Sequence, residues 1–459
     1  RSTLFPYTTL FRSGRRGFLR GIFYKILILI TVAALVAAWF AFEIEKPGLE
    51  LESKPALLGG HVEVPLRASD QKSGLSLVSV RLKQGGTDKT FFLKTFPRQS
   101  WFNNAGPRAF SARVPLDVGE AGFREGPAEL VIEARDQSLM GFFRGNSQTI
   151  TLPVTVDTTP PLVRMKTSKI YLQPGGSAAL IYTVSEQPVR HGVMLDDHFF
   201  PGQPTKKPDT YIAYFALPWD AKAVGSASVC AWDAAGNRAQ TNFIATFRPL
   251  KKKQDTITLS DAFLQWKLPE FKQHYPEMQG DLLTQYLYVN GEVRRQNEAR
   301  VAELCAATAS EQLWQGHFMR MPGAIRATFA DQRTYLYQGR VVDAQTHLGV
   351  DIASVAQADV RAANRGKVVL AENLGIFGNV VMLDHGQGLF SLYAHLTSID
   401  TQVGAMLEQN QLLGHSGMTG MAGGDHLHYA MLVHGVFVTP VEWWDQRWID
   451  INIRPLLNE

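Results

Sequence analysis

Cysteine is nearly missing from this sequence: two in 459 residues, Cys230 and Cys305. Two thiols cannot form a disulfide framework. Because they fall in different units, one in a strand and one in a helical stretch, buried unpaired thiols are expected in place of a bridge. Neither has a zinc-like spacing. An excess of one charge is missing too: 46 Lys and Arg against 42 Asp and Glu leave +4, too little over this length to imply a nucleic-acid partner. No His-Glu-x-x-His occurs, so the helical zinc site with a glutamate base is excluded. Residues 43–250 hold no sharp aromatic or acidic cluster, which counts against a binding array as the working part of the chain.

What the sequence does have is histidine, concentrated near the C-terminus. Seven of the twelve lie from His347 onward. Four of these fall in three short motifs: Thr346-His347-Leu348-Gly349-Val350-Asp351, Leu392-Tyr393-Ala394-His395-Leu396, and Gly424-Asp425-His426-Leu427-His428-Tyr429. On a strand, His426 and His428 would share one face while Leu427 and Tyr429 take the other. His347 and Asp351 are an even offset apart, and Gly349 with its β-rich surroundings favours an extended reading. Two polar pairs from distant segments can therefore converge on one ion. Neutral imidazoles plus one carboxylate, with a fourth position open to water, suit zinc.

These motifs, in this order, resemble the lysostaphin-like (LytM-type) zinc endopeptidases that cut peptide stems or bridges in peptidoglycan. Their pattern is His-x-x-x-Asp, then Tyr-x-His-Leu, then His-x-His, and the similarity runs from about Pro322 to Asp445. The intervening scaffold also fits: Phe377-Gly378-Asn379-Val380-Val381, Asp384-His385-Gly386, Val403-Gly404, and Gly414-His415-Ser416-Gly417-Met418-Thr419-Gly420. The resemblance implies one Zn2+ held by His347, Asp351 and His428, with His395 and His426 unligated as the catalytic histidines. It also implies hydrolysis of peptidoglycan cross-links. Zinc would polarise the scissile carbonyl and activate water, while His395 or His426 takes the proton and steadies the oxyanion. Two departures, Asp425 before the last motif and Gln357-Ala358-Asp359 before a strand, bear on loop shape and spare the metal set.

From the N-terminus, residues 1–13 resemble an in-frame translation of a sequencing adapter and are set aside, which leaves the true start of the chain open. Residues 14–42 read as a basic cytoplasmic segment and a transmembrane signal anchor. Arg15, Arg16, Arg20 and Lys25 precede Ile26–Phe42, which is uncharged and has only Thr31 as a polar residue. The positive flank places the N-terminus in the cytoplasm and the rest in the periplasm of a bacterial inner membrane. The alternative is secretion after cleavage near Val36-Ala37-Ala38.

Residues 43–158 alternate in short strands, His61–Leu66, Leu77–Leu82 and Leu130–Ala134, with turn signals at Lys72-Ser73-Gly74 and Asn103-Asn104-Ala105-Gly106, as in an immunoglobulin-like β-sandwich. A stiff joint at Thr159-Pro160-Pro161 opens a second such sandwich, 159–250. It ends on Ala231-Trp232-Asp233-Ala234-Ala235-Gly236-Asn237, which resembles the last strand and turn of bacterial immunoglobulin-like repeats. Asp136 and Asp233 read as turn caps in preference to metal ligands. Residues 251–310 read as a helical connector: Ser260-Asp261 caps one helix, Pro276 interrupts it, and a second runs from Asp281 to about Ala307 with a break at Asn290-Gly291. Its charged face is expected to be solvated.

The fold class is therefore multidomain and mainly β: a transmembrane helix, two sandwiches, a helical connector, and a C-terminal antiparallel-β lysostaphin-like peptidase domain over residues 311–459. Of the other histidines, His385 is expected to bind a turn, and His415 and His434 to be exposed. Trp443, Trp444 and Trp448 are expected to pack a core. Peptidoglycan stems or cross-bridges, the membrane, and an envelope protein reached through the sandwiches are the expected partners. The competing reading is a non-catalytic envelope scaffold that recruits or activates another wall hydrolase; ligand completeness speaks against it.

Overall fold

The computed structural model describes residues 14–100, 105–166 and 169–457. The adapter-like segment 1–13 and the Asn103-Asn104 turn signal lie outside them. Helix α1 (Gly14–Ala41) contains Arg20–Trp39, long and apolar enough to cross a membrane by length and composition.

The chain forms two compact units, 1–159 with 234–237 and 160–233 with 238–459. In the first, two sheets enclose one core. One sheet orders Gly48–Leu51, His61–Ser69 and Ala109–Asp117; the other orders Leu57–Leu58, Ser147–Val156, Gly126–Asp136, Leu75–Gln84 and Thr87–Thr95. The expected period of two is what builds it. Val64 sits opposite Val114 in one sheet, Val80 opposite Ile132 in the other, and all four are buried.

The second unit begins with another pair of four-stranded sheets, Gln203–Pro204, Thr210–Ala216, Ser177–Val184 and Val163–Met165 against His198–Pro201, Arg190–Leu195, Ala227–Trp232 and Arg238–Asn242. Leu180, Tyr182, Val193, Ile212 and Val229 are buried between them. This core continues without a break into the C-terminal part. Tyr214 meets Trp443 with ring centroids 6.2 Å apart, Trp443 Nε1 donates to Ser177 Oγ at 3.0 Å, and Trp443 is fully buried. Both cysteines are buried and free, as their placement implied.

Residues 251–310 do more than connect. Strand β1 (Gln254–Leu259) pairs in parallel with β2 (Gln332–Tyr337), which forms a hairpin with β3 (Arg340–Thr346). Three helices follow β1: α2 (Asp261–His274), α3 (Leu282–Tyr288) and α4 (Arg294–Leu304). Ser260 and Asp281 cap the first two through Phe263 N and Thr284 N. At the expected break the chain makes a π turn, Val289–Val293, in place of a gap. The outer face carries the expected charges, Arg295 on Glu292 and Arg300 on Glu303. The inner face buries Leu264, Leu268, Phe271, Tyr286, Val293 and Val301 against the C-terminal sheet.

That sheet is antiparallel and eight-stranded. Its main strands are β4 (Val350–Ala353), β5 (Gly366–Asn373), β6 (Asn379–Asp384), β7 (Leu389–Leu396) and β8 (Leu427–Val433), in the spatial order β4-β8-β7-β6-β5. Every residue of β7 and β8 is buried, because both faces are covered. Phe390, Leu392, Ala430 and Leu432 pack towards the helices, whereas Leu389, Tyr393, Met431 and Val433 join the core shared with the second sandwich.

Candidate metal centre

The register of the sheet sets the first pair of functional side chains. Asp351 on β4 lies directly opposite His428 on β8, so their Cβ atoms stand at cross-strand distance. His347 reaches the same point from the turn after β3. Its N–H donates to Asp331 O, and its carbonyl accepts from Ala330 N. His347 Nε2 is 2.9 Å from Asp351 Oδ1 and 3.0 Å from His428 Nδ1, and His428 Nδ1 is 2.9 Å from the same oxygen. Two nitrogens and one oxygen thus converge from three segments.

Backbone carbonyls decide which ring nitrogens carry protons. His347 Nδ1 faces Thr328 O at 3.0 Å, His395 Nδ1 faces Thr419 O at 2.9 Å, and His426 Nδ1 faces Gly424 O at 2.7 Å. A carbonyl only accepts, so each Nδ1 bears the hydrogen and each neutral ring presents a bare Nε2. At His347 that lone pair points at a carboxylate oxygen and at His428 Nδ1. His347 Nε2 and Asp351 Oδ1 are acceptors facing one another, repulsive unless a cation or shared proton lies between them, and with His428 Nδ1 beside them the set fits a divalent metal.

His395 and His426 flank the convergence. Their ring centroids are 4.9 Å apart, His395 is 5.7 Å from the His428 ring, and His426 Nε2 is 3.6 Å from Asp351 Oδ1. His395 ends β7 in the left-handed region, φ 63°, a conformation that costs a non-glycine residue about 1–3 kcal/mol. Neighbouring structure holds it there. Thr419, whose carbonyl binds the imidazole, is itself pinned through Oγ1 to Leu396 O and Asn379 N. Its loop is held by α2, where Glu270 accepts from Gly420 N at 2.9 Å and the buried Lys267 ammonium donates to Met418 O.

Charge is focused on Asp351. Burial pushes its carboxyl up, but the imidazoles of His347, His426 and His428 outweigh this and hold it well below the usual carboxylate range. Its second oxygen takes Arg333 Nη2 at 2.8 Å. Burial, with His426 and His428 as neighbours, holds His395 well below the ordinary imidazole value, and burial takes His428 down to about 4. The four histidines and the aspartate singled out by sequence therefore meet at one place. They open on a cavity of about 410 Å³, also lined by Ile257, Leu259, Tyr286, Arg294, Arg333 and Phe377.

The motifs did not signal Arg333, Arg294 or Tyr286, nor the three carbonyls that set the tautomers. His385 binds Arg365 O and Ser391 Oγ, as a turn histidine should. His434 is not exposed as expected: its ring packs on Gly388 and against Phe200, and burial lowers it to about 4. In the first unit, Glu43, Asp70 and Asp136 also lie within metal-holding distance. There Asp136 accepts from Ser138 N and Asn146 N, and Asp70 from Lys72 N and Gly74 N, which is turn capping.

The model of Peptidase family M23 matches residues 345–440, the stretch that contains all five residues. The C-terminal part of this chain is a peptidase family M23 domain. Among curated proteins, this chain is 36% identical over 95 residues to the DD-carboxypeptidase/endopeptidase Mpg of Neisseria meningitidis, covering 21% of this chain and 22% of that protein. It is 28% identical over 156 residues to the peptidoglycan DD-endopeptidase ShyA of Vibrio cholerae, covering 34% of each. The chain thus spans about a fifth to a third of these relatives. Among solved structures, a putative peptidase M23 from Pseudomonas aeruginosa aligns with 59% of this chain and 93% of its own at 20% identity and TM-score 0.37. The lysostaphin catalytic domain of Staphylococcus simulans aligns with 28% and 90% at 25% identity and TM-score 0.21.

Proposed function

We propose that this protein is a zinc-dependent endopeptidase that hydrolyses peptide cross-links of bacterial peptidoglycan, remodelling the wall from an envelope anchor. The observation that carries the proposal is the convergence of His347 Nε2, Asp351 Oδ1 and His428 Nδ1 beside two imidazoles that keep Nε2 bare. Two nitrogens and one oxygen with an open side are a catalytic zinc donor set. Zinc held there would polarise the scissile carbonyl and lower the pKa of a bound water to about 7.

The protein's own residues supply the rest. Arg333 and the backbone carbonyl of Thr328 fix Asp351 and His347 in ligating orientation. His395 and His426 each hold a proton on Nδ1, so the ring whose Nε2 stays bare accepts the proton, and the ring that carries a second proton on Nε2 supports the oxyanion. Apolar walls at Ile257, Leu259 and Phe377 limit water around the reacting bond. The named activities of the Neisseria and Vibrio relatives support a DD bond between stem peptides as the scissile one. Helix α1 serves as the anchor, and the two sandwiches, read as immunoglobulin-like, offer a surface to an envelope partner.

Digestion of purified sacculi by the full chain, with and without a chelator and with products read by mass, tests this reading. Cross-linked fragments should disappear only in the absence of chelator. His428→Ala should lose zinc, while His395→Ala and His426→Ala should keep it and lose most turnover. Equal zinc in wild type and His428→Ala would refute the ligand set. A zinc-loaded wild type that leaves sacculi intact would favour the scaffold reading.

A further inference from the structure

The cavity beside the metal centre is larger than the chemistry at its floor needs, and its far wall comes from outside the M23 segment. Arg294 and Tyr286, on α4 and α3, and Arg333 on β2 all line it. Asp351 is the one carboxylate among the lining residues. Both its oxygens are engaged, Oδ1 with the histidines and Oδ2 with Arg333. No lining carboxylate is thus free for Arg294, whose electrostatic partner Glu298 lies one turn further along α4, outside the lining.

Arg294 is held in place by neutral oxygens. Its Nε donates to Asn290 O at 3.1 Å and its Nη2 to Asn290 Oδ1 at 2.6 Å. Asn290 is fully buried and lies in the π turn, where the widened helix leaves a carbonyl available. Its amide nitrogen donates to Asp343 Oδ2 at 2.7 Å, which fixes the amide so that Oδ1 faces the guanidinium. Beside it, the Tyr286 hydroxyl is buried without a partner among the described residues, and so is Arg333 Nε. Tyr286 is 1% exposed, and an orphaned donor at that depth is unfavourable until something accepts from it. A positioned guanidinium, an unused phenol and apolar surroundings form a receptor for a planar anion.

We propose that this wall is a carboxylate-binding subsite, with Arg294 as its anchoring cation and Tyr286 as a second donor. Its ligand is a free carboxylate of the substrate's peptide stem, an assignment that rests on the hydrolase reading above. The subsite selects stems by charge at a position the M23 segment does not supply.

Binding is measured in the full chain carrying His426→Ala, so that turnover does not consume the probe. The probes are a soluble stem peptide released from sacculi and the same peptide amidated at its carboxylates, each titrated calorimetrically. The acid should bind about tenfold more tightly than the amide, the scale of one charge-assisted pair. Arg294→Gln should bring the two affinities together, Arg294→Lys should keep part of the preference, and the isosteric Tyr286→Phe should reduce it. Equal binding of acid and amide, no binding of either, or an equal loss for both in Arg294→Gln overturns the subsite. Sacculus digestion by the wild-type chain separates this from the parent reading. Cleavage without acid–amide discrimination removes the subsite alone, whereas discrimination without cleavage leaves the subsite standing and removes the hydrolase.

Discussion

Gly349 is where a single hydrogen atom keeps the metal centre in register. A Cβ at this position would lie 2.5 Å from His428 Cε1 and Nε2 and 2.8 Å from Tyr429 O, closer than carbon tolerates. Gly349→Ala should therefore push the imidazole out of line and lower zinc occupancy about tenfold or more, with far-UV circular dichroism unchanged. Wild-type metal content in that variant would refute the claim. Arg333→Met should act on the same centre by freeing Asp351 Oδ2, weakening the metal by about 10- to 100-fold, as competition with a chelating dye would measure. The five motif residues were legible in sequence because spacing and residue type carry their chemistry. Their supports were not. Thr328, Thr419 and Gly424 act through carbonyls that any residue possesses, and Arg333 sits in an ordinary alternating strand.

At the scale of elements, α2 is a brace for the loop that orients His395. Glu270 and Lys267 hold Gly420 N and Met418 O, and Thr419 between them binds the imidazole. Glu270→Ala should cost about 1 kcal/mol of stability and lower turnover several-fold with zinc retained. Unchanged kcat would show that the loop holds itself. In the first sandwich, strands such as His61–Ser69 and Gly126–Asp136 were legible because they bury every second residue over most of their length. Strand β1 was not, since Gln254-Asp255-Thr256-Ile257-Thr258-Leu259 follows a lysine triplet and offers only short alternation. The inward face of α2–α4 was also hidden: Glu292, Arg295 and Arg300 dominate the composition, while burial depends on a sheet far along the chain.

For the molecule as a whole, the second sandwich and the C-terminal segment Pro440–Trp444 are joined through a titratable clasp. Glu442 accepts from Ser177 N and Ser177 Oγ, both at 2.9 Å, and from Gln173. Burial raises its carboxyl from an ordinary 4.5 to about 7, against those hydrogen bonds. Between these values the folded chain keeps a proton that the unfolded chain has released. Stability should thus fall as pH rises through that window, by about 3 kcal/mol in all. Unfolding of the full chain followed by tryptophan fluorescence from pH 4.5 to 8 should show this slope, and Glu442→Gln should flatten it. The shared core bears on dissection as well. A fragment beginning at residue 311 bares the sheet face that Leu264, Leu268, Phe271 and Tyr286 cover. It should aggregate on size-exclusion chromatography, where residues 160–459 run as a monomer.

The parallel pairing of β1 with β2 also has a consequence in time. Strands β5, β6 and β7 meet as sequence neighbours, so they close short loops early, whereas β1 must wait for a partner that emerges only after three helices. The wall of the cavity is therefore the last part to form. In pulse-labelling exchange during refolding, the amides of Gln254–Leu259 should gain protection after those of Leu389–Leu396. A chain caught between these two moments would hold a finished catalytic sheet with its reacting edge still open to solvent.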